Sequence, residues 1–79
     1  MSTEKEIKRI ESSDGKKRVS IVRSTVGNLF RFEEETYVTD RDGYTYWNCT
    51  YISGFYDSAE AAERDAHVEL PWLRDEISN

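Results

Sequence analysis

The side chains capable of chemistry are few and scattered. The chain has one histidine, His67, and one cysteine, Cys49, far apart in sequence. Neither has a second ligand at metal spacing, such as a histidine four residues away. His67 falls on the edge of an apolar helical stripe and is expected to be a half-exposed packing residue. Cys49 falls inside a strand pattern and is expected to be a buried thiol rather than a nucleophile. Glu33-Glu34-Glu35 and the pair Asp40/Asp42 could bring carboxylates close enough for acid–base work. The plainer reading is a solvated, solubilising face. No glycine-rich phosphate loop is present. No catalytic set, cofactor site or metal site is expected, and the chain reads as a non-enzyme.

What the side chains could do instead is recognise. Tyrosine and arginine suit binding surfaces because they cover large areas and keep a polar tip. Arg31, Tyr37, Tyr44 and Tyr46 are expected together, near Val22, on a sheet face that no helix covers. The alternative is that cross-strand tyrosine pairs only stabilise an exposed sheet. A second surface is the outer side of a helix, where Ala61, Val68 and Trp72 fall opposite the core stripe. Trp72 has two placements: docked on the seam between sheet and helix, or beside Val68 on that outer strip.

The elements that position these residues read as strands followed by a helix. Residues 1–16 are polar, with Ile7 and Ile10 as the apolar anchors. They form either a flexible arm or an edge strand over Glu6 to Glu11, ended by the turn signal Ser12-Ser13-Asp14-Gly15. Lys16 to Ser24 alternates, with Val19 and Ile21 on one face and Arg18, Ser20 and Val22 on the other. Val26-Gly27-Asn28 turns the chain. Leu29 to Thr39 is a long strand with Phe30, Phe32, Thr36 and Val38 on one face and Arg31, Glu33, Glu35 and Tyr37 on the other. The triple glutamate is awkward inside a strand and suggests a bulge or bend there. Asp40-Arg41-Asp42-Gly43 is a hairpin turn. Tyr44 to Ser53 is the next strand, with Trp47, Cys49 and Tyr51 pointing to the core and Tyr44, Tyr46, Asn48, Thr50 and Ile52 pointing away.

Gly54 then releases the chain into a helix. Asp57 with Glu60 three residues on reads as a capping box. Phe55, Ala59, Ala62, Ala66 and Leu70 form one helical face. Pro71 ends the helix near Leu70, Trp72 and Leu73 fold back, and residues 74–79 fray. The expected architecture is α+β: a meander of three antiparallel strands, or four, with one C-terminal helix packed on one face. The expected core is Val19, Ile21, Phe30, Phe32, Trp47, Cys49, Tyr51, Phe55, Ala59, Ala62, Ala66, Leu70 and Leu73.

The totals agree with one small domain. The chain has 79 residues, 37% of them apolar and 13% aromatic. A domain of this size buries about 60–65% of the surface its unfolded chain exposes, so large rings must fill a thin core. No apolar run approaches the roughly 20 residues of a membrane span, and the polar N-terminal stretch lacks a signal-peptide core. A cytoplasmic protein is expected, and Asn48-Cys49-Thr50 is a chance match to the glycosylation pattern. Charge is uneven: residues 1–31 hold eight Lys/Arg and four Asp/Glu, residues 32–79 three and twelve, giving −5 overall. A net negative charge disfavours nucleic acid and anionic membranes. The two regions are expected to neutralise each other across the sheet.

The run from Ser53 to Ala62, Ser-Gly-Phe-Tyr-Asp-Ser-Ala-Glu-Ala-Ala, resembles the strand-to-helix joint of plant ethylene-response-factor DNA-binding domains and of integrase arm-binding domains. The resemblance extends to Leu70. It implies three antiparallel strands followed by a helix, with DNA read by Arg and Trp on the sheet. The corresponding face here carries Arg31 but also Glu33 and Glu35, with Asp40 and Asp42 following, which departs from that pattern. The whole chain is also similar to small uncharacterised bacterial proteins with a Leu-Pro-Trp-Leu ending, here residues 70–73; that similarity implies no activity. Two functions follow. One is a small intracellular module that binds a protein partner or a second copy of itself. The other is nucleic-acid binding through the tyrosine-bearing face, which needs Lys8, Arg9, Lys16, Lys17, Arg18, Arg23 and Arg31 on one surface.

Overall fold

Strict alternation makes Lys17–Arg23 a strand whose inward side chains, Val19 and Ile21, are almost wholly buried. The structure, a computed structural model, describes residues 4–25 and 27–77. Val26, residues 1–3 of the expected arm and residues 78–79 of the expected frayed tail lie outside the described residues. The elements are β1 (Lys5–Glu11), β2 (Lys17–Arg23), β3 (Phe30–Thr39), β4 (Thr45–Ile52), α1 (Ala59–Glu69) and α2 (Pro71–Ile77). The strands form one antiparallel sheet in the order β1-β2-β3-β4. The fold is therefore α+β with a four-stranded sheet and two C-terminal helices.

Turn chemistry joins the strands. Between β3 and β4, Asp40 Oδ1 accepts from the backbone N–H of Asp42 and of Tyr44, each at 2.9 Å. Gly43 takes the positive φ of 90° that this tight turn requires. Between β2 and β3, Gly27 and Asn28 both adopt positive φ, the pair of angles that matches strand twist in a tight hairpin.

The core lies between the sheet and the helices. Phe32, opposite Ile21, is fully buried and stacks on Tyr51 at 5.5 Å and on Tyr56 at 6.2 Å between centroids. Ala62 and Ala66 bring α1 close to the sheet, and Leu70 and Leu73 close one end. Small alanines permit this close approach, while bulk is supplied from the strands. Phe30, Ala59, Tyr56 and Trp72 pack around the buried cluster.

Trp47, Cys49 and Phe55 do not join this core, and Tyr51, although it stacks on Phe32, stays 40% exposed. A β-bulge separates the pairs Glu34–Tyr51 and Glu35–Cys49, so Thr50 is an extra residue in β4. One extra residue reverses the alternation. Tyr51 faces Phe32, whereas Trp47 and Cys49 turn to the opposite face. Phe55 is exposed because Tyr56 takes the inward position, exchanging two backbone hydrogen bonds with Phe30 at 2.7 and 2.8 Å.

The helix start also differs from the sequence reading. Ser58, not Asp57, is the N-cap, and its hydroxyl accepts from Ala61 N–H at 3.0 Å. Pro71 ends α1 as expected, with Leu70 in an extended conformation, but it also opens α2. Proline suits the first position of a helix because its missing N–H would be unpaired there anyway. Residues 71–77 are thus helical rather than frayed. Glu76 anchors them by accepting from Ser13 N–H at 2.9 Å and Ser13 Oγ at 3.0 Å, in the turn between β1 and β2.

Glu34 occupies the core face and is only 8% exposed. Its carboxylate accepts from Thr50 Oγ1 at 2.6 Å and from Trp72 Nε1 at 2.7 Å. Thr36 Oγ1 lies 3.1 Å from Thr50 Oγ1 and accepts from Lys17 Nζ at 3.2 Å. Trp72 is therefore docked on the sheet, not on the outer strip beside Val68.

Two stability changes follow. Ser58→Ala should cost about 0.5–2 kcal/mol, the loss of an N-cap, while Asp57→Ala should leave the denaturation midpoint nearly unchanged. Trp72→Phe keeps an aromatic ring, though a smaller one, but removes the N–H from a buried carboxylate, and should cost at least about 1–3 kcal/mol. A midpoint equal to the parent's would show that Glu34 does not depend on the indole.

Candidate functional site

The helices cover one face of the sheet and leave the other to solvent, as antiparallel sheets permit. Strand register sets what stands on the open face. Arg18 of β2 pairs with Glu35 of β3, which pairs with Cys49 of β4; Tyr37 of β3 pairs with Trp47 of β4. The Arg18 guanidinium lies 3.9 Å from the Trp47 ring centroid, and its Nε donates to Glu35 Oε1 at 2.7 Å. The rings of Tyr37 and Trp47 are 5.1 Å apart and tilted by 59°. The patch therefore has a cation held between a carboxylate and an indole, flanked by a tyrosine. Such a group offers stacking area and a fixed polar rim.

The sequence candidates are distributed differently from the expectation. Arg31 and Tyr37 both stand on the open face, but at the two ends of β3. Tyr46 pairs with Val38 and points to the helix side of the sheet, beyond the helices, 48% exposed. Tyr44 precedes β4 and is 71% exposed. Val68 is exposed on the outer side of α1 without Trp72 beside it. Trp47 is the residue of this patch that the sequence pattern places elsewhere, in the core; Arg18 stands on the face its alternation with Val19 and Ile21 predicts, though it is not among the expected binding residues. The triple glutamate was the available signal, since it marks the irregularity that turns Trp47 outward.

β4 is also an edge strand. Its eight residues, Thr-Tyr-Trp-Asn-Cys-Thr-Tyr-Ile, include no charge and no proline, and all but Trp47 are exposed. The opposite edge, β1, carries Lys5, Glu6, Lys8, Arg9 and Glu11 among its seven residues. Charged side chains on an edge discourage further strand pairing. β1 has that protection and β4 lacks it.

The arginines of the open face are neutralised in place. Arg31 donates to Glu33 Oε2 at 2.8 Å and to Glu4 Oε1 at 2.6 Å. These hydrogen bonds hold the Glu4 carboxyl below the usual carboxylate range and raise the Arg31 guanidinium further. Arg9 donates to Glu6 at 2.9 Å, and Ser20 donates to the same oxygen at 2.7 Å. The Ser20 bond is the main reason that Glu6 is held low. On the other side of the sheet, Lys8 pairs with Glu63 of α1 at 2.9 Å. Lys8–Glu63, Arg18–Glu35 and Arg31–Glu33 join basic residues of the first third to acidic residues of the remainder, whereas Arg9–Glu6 and Arg31–Glu4 close within the first third.

Among the described residues, no group of three or more His, Cys, Asp or Glu side chains could hold a metal ion. A depression of about 560 Å³ on α1 is lined by Glu60, Glu63, Arg64 and His67. Its Glu63 is already engaged by Lys8 and lies 3.8 Å from His67 Nε2. Cys49 is exposed rather than buried, a consequence of the bulge. Among the described residues, no helix is long and apolar enough to cross a membrane. Compared with known proteins, the chain matches no family model, no curated protein and no solved structure.

One titration checks the seam that carries β4 into α1. The Tyr56 hydroxyl donates to Asp65, and burial first, then this partner, push its pKa up to about 12 from an ordinary 10.0. The neutral phenol is thus favoured in the folded state. The stabilisation is complete below the unfolded value of 10.0 and is lost as pH rises through about 12. In an ultraviolet tyrosinate titration, Tyr56→Phe should remove the last step to appear. Removal of an earlier step would show that the hydroxyl is free.

Proposed function

We propose that the protein is a non-enzymatic binding module whose ligand is protein, taken up along the β4 edge and the adjoining Arg18–Trp47–Tyr37 patch. The observation that carries this reading is the uncharged, exposed edge strand. Its outer backbone groups meet no strand among the described residues. A protein strand satisfies such groups directly, and the neighbouring rings add side-chain selectivity. A partner or a second copy of the chain would both serve.

Nucleic acid is the second reading. Trp47 and Tyr37 could stack on bases, and the resemblance to sheet-reading DNA-binding domains points the same way. Base-stacking sites work within a positive groove. Here Arg9, Arg18 and Arg31 are each paired with carboxylates on the face that would have to supply it.

Affinity capture tests the first reading. The tagged protein should retain a discrete protein from lysate of its source cells, or its own untagged copy, and Trp47→Ala should lose it. Retention of neither would overturn the reading. Fluorescence anisotropy tests the second. No binding to mixed-sequence DNA or RNA is expected at physiological salt; micromolar binding that weakens as salt rises would favour nucleic acid instead.

A further inference from the structure

The free edge of β4 has a definite hydrogen-bonding pattern. Asp40 N–H donates to Tyr44 C=O, and Ser53 N–H donates to Phe32 C=O. In an antiparallel pair, residues alternate between exchanging both backbone bonds with their partner and directing them away from it. Counting from Tyr44 through the register, Tyr46 and Asn48 direct their backbone groups to β3. Thr45, Trp47 and Cys49 direct theirs outward. The bulge at Thr50 ends this regular stretch on one side and the Asp40–Gly43 turn ends it on the other.

We propose that this edge pairs antiparallel with the same edge of a second copy, about a two-fold axis at Trp47, to make a continuous eight-stranded sheet. The proposal rests on the protein-binding reading above and names the ligand as the chain itself. With the axis at Trp47, Thr45 meets Cys49 of the other copy, Trp47 meets its own mate, and Cys49 meets the other Thr45. Every outward backbone group of the regular stretch then finds a partner, two bonds for each facing pair. On the opposite face, Tyr46 falls beside Asn48 of the other copy.

Charge selects this occupant. The chain carries −5 overall, which opposes self-association through most of its surface. β4 contributes nothing to that total, so pairing it with itself brings no like charges into contact. The same pairing at β1 would have to accommodate five charges from each copy. The bulge limits growth as well, because it interrupts the ladder beyond Cys49. An isologous two-fold contact closes on itself and leaves the charged β1 edges outermost.

Sedimentation equilibrium over a wide concentration range tests the proposal. The parent should be a concentration-dependent dimer. Cys49→Lys, which places a charge in mid-edge, and Thr45→Pro, which removes an outward N–H not used within the chain, should each sediment as monomers. Their far-ultraviolet circular dichroism should match the parent's. Register is read separately with Thr45→Cys. Oxidised glutathione should convert that variant to a covalent dimer through the native Cys49 of the other copy, while the parent stays uncrosslinked. A parent that is monomeric throughout, a dimer that survives both edge changes, or Thr45→Cys crosslinking no faster than the parent would overturn the proposal. A monomeric parent that still captures another protein, lost in Cys49→Lys, would overturn self-pairing and leave the protein-binding reading intact. A monomeric parent that captures nothing would overturn both.

Discussion

Glu34 is where the sheet, the bulge and the C-terminal helix are tied together. A carboxylate on the core face is costly unless its oxygens are satisfied. Here one oxygen accepts from the extra residue of the bulge, Thr50, and the other from the indole of α2, Trp72. The bulge places Thr50 within reach of that oxygen, and α2 places the Trp72 indole over the sheet. The same bulge turns Trp47 and Cys49 to the open face. The Thr50 hydrogen bond to the buried acid and the outward Trp47 beside Arg18 are thus two consequences of a single inserted residue.

That dependence explains how much was legible in the sequence. The alternation of Val19 and Ile21, the Asp40–Gly43 turn, the alanine stripe of α1 and the stop at Pro71 are local signals, and local physics was enough to read them. The sides of Trp47 and Cys49 were not legible, because a bulge is specified by the pairing of two strands and not by either alone. Glu33-Glu34-Glu35 signalled an irregularity, yet only the register shows that the extra residue lies across from it in β4. Asp57 and Ser58 are both good caps, and backbone placement chose the second. α2 is not legible in the sequence because Pro71 ends one helix and opens another with the same fixed φ. Alternation along β3 is enough to place Arg31 and Tyr37 on the open face, whereas Tyr46, like Trp47, takes the side opposite to its simple alternation because of the bulge.

Electrostatics narrows what the open face can do. The positive first third and the negative remainder are not separate surfaces, since Lys8 reaches Glu63 and Arg18 reaches Glu35. Ion pairs this exposed contribute little to stability, about 0–1 kcal/mol each. Their larger effect is to cancel the field that a nucleic acid would need while keeping Arg18 seated on Trp47. What stays available is ring area beside an uncharged strand edge, a combination suited to backbone pairing with protein.

The most direct measurement is amide hydrogen exchange, residue by residue along β4, at low and high protein concentration. The amides of Tyr46 and Asn48 face β3 and should be protected at both. Those of Thr45, Trp47 and Cys49 should exchange quickly when dilute and become protected as concentration rises. Rapid exchange of these three at every concentration would contradict self-pairing of the edge. Their protection even at high dilution would contradict the open edge itself.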